Sequence, residues 1–243
     1  MSISDIVVIS VVTALASFTI ALTGFGFGLI SMSIYPNFMR VDQAAALVGI
    51  LALIIVAVSL MPIRRYIRVS LLWPLIVGAT VGVPIGVFLL VQLDERLLRI
   101  GLGATILVTL GADMLRKRTK ERKKSTAFAI LAGVVSGAFG GAFSVSGPPV
   151  VLYLSSIVKH KYELKANLLF YFLFVAVLRL PAFLFSGVLT MTVLRISLIV
   201  AIPLILGIVI GSIAFKRLEQ ERFRIGVRIL LAASAISLVI RAW

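Results

Sequence analysis

Six apolar runs of about twenty residues, parted only by short polar gaps, constrain this chain more than any other feature. They cover residues 42–62, 70–91, 97–115, 164–187, 191–215 and 225–242. A helix of about 20 residues rising 1.5 Å each spans about 30 Å of hydrocarbon, so each run has the length of a membrane crossing. Composition agrees: 61% of the 243 residues are hydrophobic, 14% are charged, and the mean hydropathy is +1.17. Soluble domains are about 45–50% apolar and about 25% charged, which excludes that class. The net charge of +15 would suggest nucleic acid in a soluble protein. Here the cations crowd into the gaps between apolar runs, as the positive-inside bias of membrane proteins requires. The partners expected are therefore a lipid bilayer and no nucleic acid.

Two other stretches, roughly 5–36 and 126–157, begin as helices and then break. The breaks are Thr23-Gly24-Phe25-Gly26-Phe27-Gly28 and the run from Ser136 to Pro149, which contains Ser144-Val145-Ser146-Gly147-Pro148-Pro149. Each half thus reads as one broken element followed by three spans. The first repeat is residues 1–115, a basic linker occupies 116–125, and the second repeat is 126–243. Shifting the chain by 125 residues onto itself pairs Gly82 with Gly207, Ile85 with Ile210, Gly86 with Gly211 and Leu93 with Leu218. Arg99-Ile100-Gly101 then falls on Arg224-Ile225-Gly226. The paired glycines have the spacing at which membrane helices approach closely.

Charge orients the halves. If all eight segments crossed the bilayer, the loop cations would split 12 to 11 and orient nothing. If each broken element enters and leaves on one face, eighteen cations gather on one side: Arg64, Arg65 and Arg68, seven in 116–124, three in 159–165 and five in 216–228. Five remain opposite, at Arg40, Arg96, Arg99, Arg195 and Arg241. The fold expected is an all-α integral, multi-pass membrane protein of two inverted repeats, each one re-entrant helix plus three transmembrane helices. Both termini are expected outside. Ile6–Val12 and Ala14-Leu15-Ala16 imitate a signal core and its cleavage site. The flank Met1-Ser2-Ile3-Ser4-Asp5 has no basic residue, so the segment is expected to stay uncleaved.

Irregular backbone in a bilayer survives only where protein or a water-filled cavity surrounds it, so the two breaks mark a cavity. A return helix starting at each break would present unpaired N–H groups with about +0.5 of a charge, an anion site without any basic side chain. Gly24, Gly26, Gly28 and Gly147 would let the backbone reach the anion, while Thr23, Ser144 and Ser146 would add hydroxyls. Arg179 is the one charge deep inside a span, where insertion costs about 2.5–3.5 kcal/mol, and reads either as an anion contact or as snorkelling outward. Asn167 and Tyr171 share a helix face and could line the cavity or bond within the core.

Cysteine is absent and His160 is the single histidine, set in a loop between Lys159 and Lys161. No metal and no cofactor are expected. No carboxylate lies mid-span and no Gly-Lys-Ser/Thr loop occurs, so the chain is not expected to be an enzyme. Gly24-x-Gly26-x-Gly28 has no strand before it, as a dinucleotide site would need.

The run Gly137-Ala-Phe-Gly-Gly-Ala-Phe-Ser-Val-Ser-Gly-Pro-Pro-Val-Val-Leu-Tyr-Leu154 resembles the second-repeat signature of the sulfite exporter TauE/SafE family. Gly24 to Pro36 resembles its first-repeat counterpart, and Arg179-Leu-Pro followed by Gly187 is similar to the segment after the second. The resemblance implies a transporter moving sulfite, sulfonates or related anions across the cytoplasmic membrane. A carboxylate transporter and a non-transporting membrane scaffold are the alternatives carried forward. Assembly of several copies is compatible with either.

Overall fold

A computed structural model describes residues 2–102, 104, 125–217 and 219. Among them every regular element is helical. In chain order these are α1 (Ile3–Thr23), α2 (Phe27–Ile34), α3 (Val41–Leu60), α4 (Val69–Gln92), α5 (Thr126–Phe143), α6 (Gly147–Ile157), α7 (Lys161–Phe185), α8 (Met191–Ile199) and α9 (Ala201–Arg217). Short 3₁₀ turns follow α2 at Tyr35–Asn37 and α3 at Met61–Tyr66, and a further helical stretch opens at residue 95. Five helices among the described residues are long and apolar enough to cross a membrane, or six if the bent pair α8–α9 counts as one. The protein is a multi-pass membrane protein. The basic linker 116–124, most of the expected span 97–115 and all of the expected span 225–242 lie outside the described residues.

Local chemistry sets the helix ends. Ser2 caps α1 by accepting from Asp5 N–H while Asp5 accepts from Ser2 N–H, a reciprocal capping box. Ser125 caps α5 by accepting from Phe128 N–H. α1 stops at Gly24, whose φ of 89° is left-handed, and α5 stops at Ser144, whose φ of 59° is left-handed without glycine's freedom. The next helices start at the N-caps Gly26 and Ser146. The caps of the two breaks are thus 120 residues apart in both cases, against the 125-residue register of the later helices.

Two pairs of helices meet backbone to backbone. Gly78, Gly82 and Gly86 of α4 face α5: a Cβ on Gly82 would fall 2.9 Å from Ala138 N, and one on Gly86 2.8 Å from Ala142 N. Gly133, Gly137 and Gly141 of α5 reciprocate against Leu75, Ala79 and Val83. In the second pair, Gly207 and Gly211 of α9 sit against residues 14–21 of α1. Lipid gives no hydrophobic drive between helices, so van der Waals contact at this range is what holds them.

These contacts also fix directions. α4 and α5 run parallel, as do α1 and α9. α7 runs with α4 and α5, because Arg68 meets Glu163 and Asn167, Tyr171 reaches Gly133 O, and Arg179 reaches Gly140 O. α3 runs against α7: Gly49 lies at Arg179, while Tyr66, just past the end of α3, stacks with His160 and Tyr162. One end of the bundle gathers Arg64, Arg65, Arg68, Lys159, Lys161, Lys216 and Arg217. The other holds Glu95 on Val41 N–H and Arg99 on Pro36 O.

Two features differ from the sequence reading. The run 191–215 is bent by 48° at Val200. Pro203 has no N–H for the carbonyl of Ile199, so the ladder opens there. And the broken elements are longer than half-dips: α1, at 21 residues, and α5, at 18, are each long and apolar enough to cross a membrane; after α1 the chain reverses through Gly24–Gly26 and α2 returns beside it, with Thr13 and Tyr35 hydroxyls 2.7 Å apart.

Candidate site between the two helix breaks

The breaks meet. Gly28 lies so close to the carbonyl of Ser144 that a side chain there would overlap it, with Val145 Cα 3.5 Å from the added carbon. Beside this contact is a small, partly open cavity of about 50 Å³. Gly26, Gly28, Ser144, Ser146, Gly147 and Arg179 line it. Ser144 is held in its left-handed conformation by its own N–H on Gly140 O and by Oγ donating to Ala45 O on α3 at 2.6 Å. Ser146 is fixed through its carbonyl, which accepts from Ser136 Oγ. Its own hydroxyl has no partner among the described residues and lies against Gly140, at the edge of the cavity that Ser146 lines.

Arg179 is 3% exposed and does not snorkel. Its guanidinium donates to Gly140 O, lies against Gly49 and has its Cζ 5.2 Å from the Phe183 ring. Among the described residues no carboxylate pairs with it. One carbonyl leaves most of its five N–H donors free to receive an anion. That carbonyl belongs to the last turn of α5, where a helix carries partial negative charge, so Arg179 also offsets a field that would repel an anion.

Three expected residues lie elsewhere. Thr23 closes the first turn: its Oγ1 is 2.8 Å from Thr19 O and 2.9 Å from Phe25 O and accepts from Phe25 N–H. Gly24 faces Lys165, with Lys165 Cα 3.3 Å from where its Cβ would be. Asn167 accepts from Arg68 N–H at 2.9 Å and donates to Glu163 O, joining α4 to α7 instead of lining the cavity. A primary amide one turn after Glu163 finds that carbonyl before it finds a ligand. The sequence reading missed the walls: Ile20, Phe25, Phe27, Phe172 and Val175 also line the cavity. In a chain this apolar nothing separates a wall residue from a lipid-facing one. It also placed Lys165 among loop cations, whereas Lys165 is 3% exposed.

Residues 9–238 match the family described as "Sulfite exporter TauE/SafE". The chain belongs to the sulfite exporter TauE/SafE family. TauE/SafE proteins are transporters, and the chain is a membrane transporter rather than an enzyme. A curated relative, the "Probable sulfite/organosulfonate exporter TauE" of Cupriavidus necator, is 25% identical over 235 residues, covering 91% of this chain and 90% of the relative. No solved structure matches the TauE/SafE chain.

Proposed function

We propose that the protein exports small sulfur oxyanions, sulfite or organosulfonates, across the inner membrane, holding the anion in the cavity between the two breaks. The observation that carries this reading is Arg179, buried with no carboxylate partner among the described residues and lining the cavity where both breaks converge. Ser146 Oγ and the N–H groups of Phe27, Gly28 and Gly147 are the further donors. Pro148 and Pro149 start α6 without competing N–H groups of their own. The name of the Cupriavidus necator relative supplies the substrate class. The aromatic walls Phe25, Phe27 and Phe172 suit the organic part of a sulfonate.

The architecture proposed is two inverted repeats. Each helix of the first half, α1, α3 and α4, runs opposite to its counterpart α5, α7 and α9. Transport then proceeds by one body rocking on the other around a fixed site. An inside-negative potential favours outward movement of each negative charge by about 2.3 kcal/mol per 100 mV, so export needs no pump.

The test is flux of sulfite and of a sulfonate through purified protein in liposomes, with and without ion gradients. Saturable flux of either supports the reading. Saturable flux of small carboxylates alone would reassign the substrate. No flux, together with a Ser146→Cys variant inert to small polar thiol reagents, would leave a scaffold.

A further inference from the structure

Lys165 stands in the second turn of α7, and its burial is not explained by the anion site. Its Nζ donates to Ala21 O in the last turn of α1 and lies 3.8 Å from the centre of the Phe215 ring near the end of α9. Among the described residues no carboxylate touches it. Glu163, the nearest acid in sequence, is paired with Arg68 at 2.9 Å, and Lys161, one turn earlier, is a second cation over Phe215. A last-turn carbonyl can be satisfied by water or a neutral donor, so the carbonyl alone does not call for a buried ammonium.

Position on α7 supplies the reason. Residues 165, 172, 176 and 179 fall within about 60° of one another at 100° per residue, and the last three line the cavity. Lys165 and Arg179 stand fourteen residues apart on one stripe, about 21 Å along the axis. Each clamps the final turn of a broken helix: Lys165 at Ala21, three residues before Gly24, and Arg179 at Gly140, four before Ser144. At the 120-residue spacing of the breaks, the matching positions on α3 are Ala45 and Ser59, neither of them charged.

Lys165 also crosses a mechanical boundary. Glycine contacts lock α1 to α9 and α4 to α5, and α7 is tied to the second pair through Asn167, Tyr171 and Arg179. Opening the cavity toward the basic end separates the tip of α1 from α7 and breaks the bond from Lys165 to Ala21. A desolvated ammonium must then find another acceptor, and a transported anion is one.

Resting on the transport reading above, we infer that Lys165 is the gate residue at the basic end, exchanging the Ala21 carbonyl for the arriving anion. The chain has no cysteine, so one placed at Ala176 in the cavity wall reports access cleanly. The protein in vesicles is labelled by a small charged thiol reagent from the face carrying the basic end, with and without methanesulfonate, and methanesulfonate flux is measured in parallel. In the Lys165 background the sulfonate is expected to speed labelling about tenfold. Lys165→Gln keeps a donor for Ala21 O without the charge. It is expected to label at a rate independent of the sulfonate and to half-saturate at about tenfold higher concentration, and Lys165→Arg to restore both. Lys165→Met is the second uncharged variant should the glutamine protein aggregate. An uncharged variant that matches Lys165 within twofold in both readouts, beside robust wild-type flux, reduces Lys165 to a cap on α1 and overturns the gate alone. A sulfonate without effect on labelling in the Lys165 background does the same. No flux in the unsubstituted chain overturns the transport reading and the gate with it.

Discussion

Arg179 and Ser144 show how much one side chain decides in this protein. Replacing Arg179 by Ala removes the cation and leaves Gly140 O bonded to Ser144 N–H, so the fold keeps its connection. Sulfonate flux is expected to fall at least tenfold in liposomes while the protein still elutes as a single species from a sizing column. Lysine at 179 is expected to rescue only part, because its ammonium cannot reach Gly140 O and an anion with the guanidinium's fork geometry. Wild-type flux in Arg179→Ala would return the residue to a structural role. Ser144→Val is predicted to destabilise the protein by about 1–3 kcal/mol. A β-branched residue in the left-handed region costs about 1–2 kcal/mol, and the bond to Ala45 O is lost as well. Thermal unfolding in detergent measures this, and Ser144→Gly should recover the backbone part only.

At the level of elements, the close approach of α4 and α5 depends on the glycines that face each helix. Gly82→Leu is predicted to cost well above the 1–3 kcal/mol typical of core overpacking, because the obstacle is backbone of the neighbouring helix and not a side chain that can turn away. Loss of folded yield in detergent, against an unaffected control such as Thr80→Leu on the exposed side, checks it. Both breaks were legible in the sequence because the glycines of the first favour a left-handed turn and the paired prolines of the second begin a new helix. Arg179 was legible because a charge within a span has few explanations. The bend at Val200 was not: Pro203 causes it, yet Pro74 and Pro84 lie inside α4, which runs as one helix. Whether proline bends a span depends on what packs beside it. Burial of Lys165 was hidden for the same reason, since a lysine one turn inside a helix start reaches either water or protein, and only the position of α1 decides between them.

For the molecule as a whole, the uneven distribution of cations makes a directional prediction. Single cysteines at Ser4 and at Lys216 are expected to label from opposite faces of oriented vesicles, with Lys216 on the cytoplasmic side. Labelling of both from one face would remove the proposed topology. The salt dependence of stability should be slight, because the described ion pairs, such as Arg68 with Glu163, are partly solvated and worth about 0–1 kcal/mol each.

The two glycine seams each join a helix from one half of the chain to a helix from the other. During synthesis α1 therefore waits for α9, nearly two hundred residues later, and α4 waits for α5 across the basic linker. Neither half holds both sides of a glycine seam. If the gene were split within 116–124 and the two fragments produced together, each should be degraded in isolation and rescued by its mate, like two hands that close only when clasped.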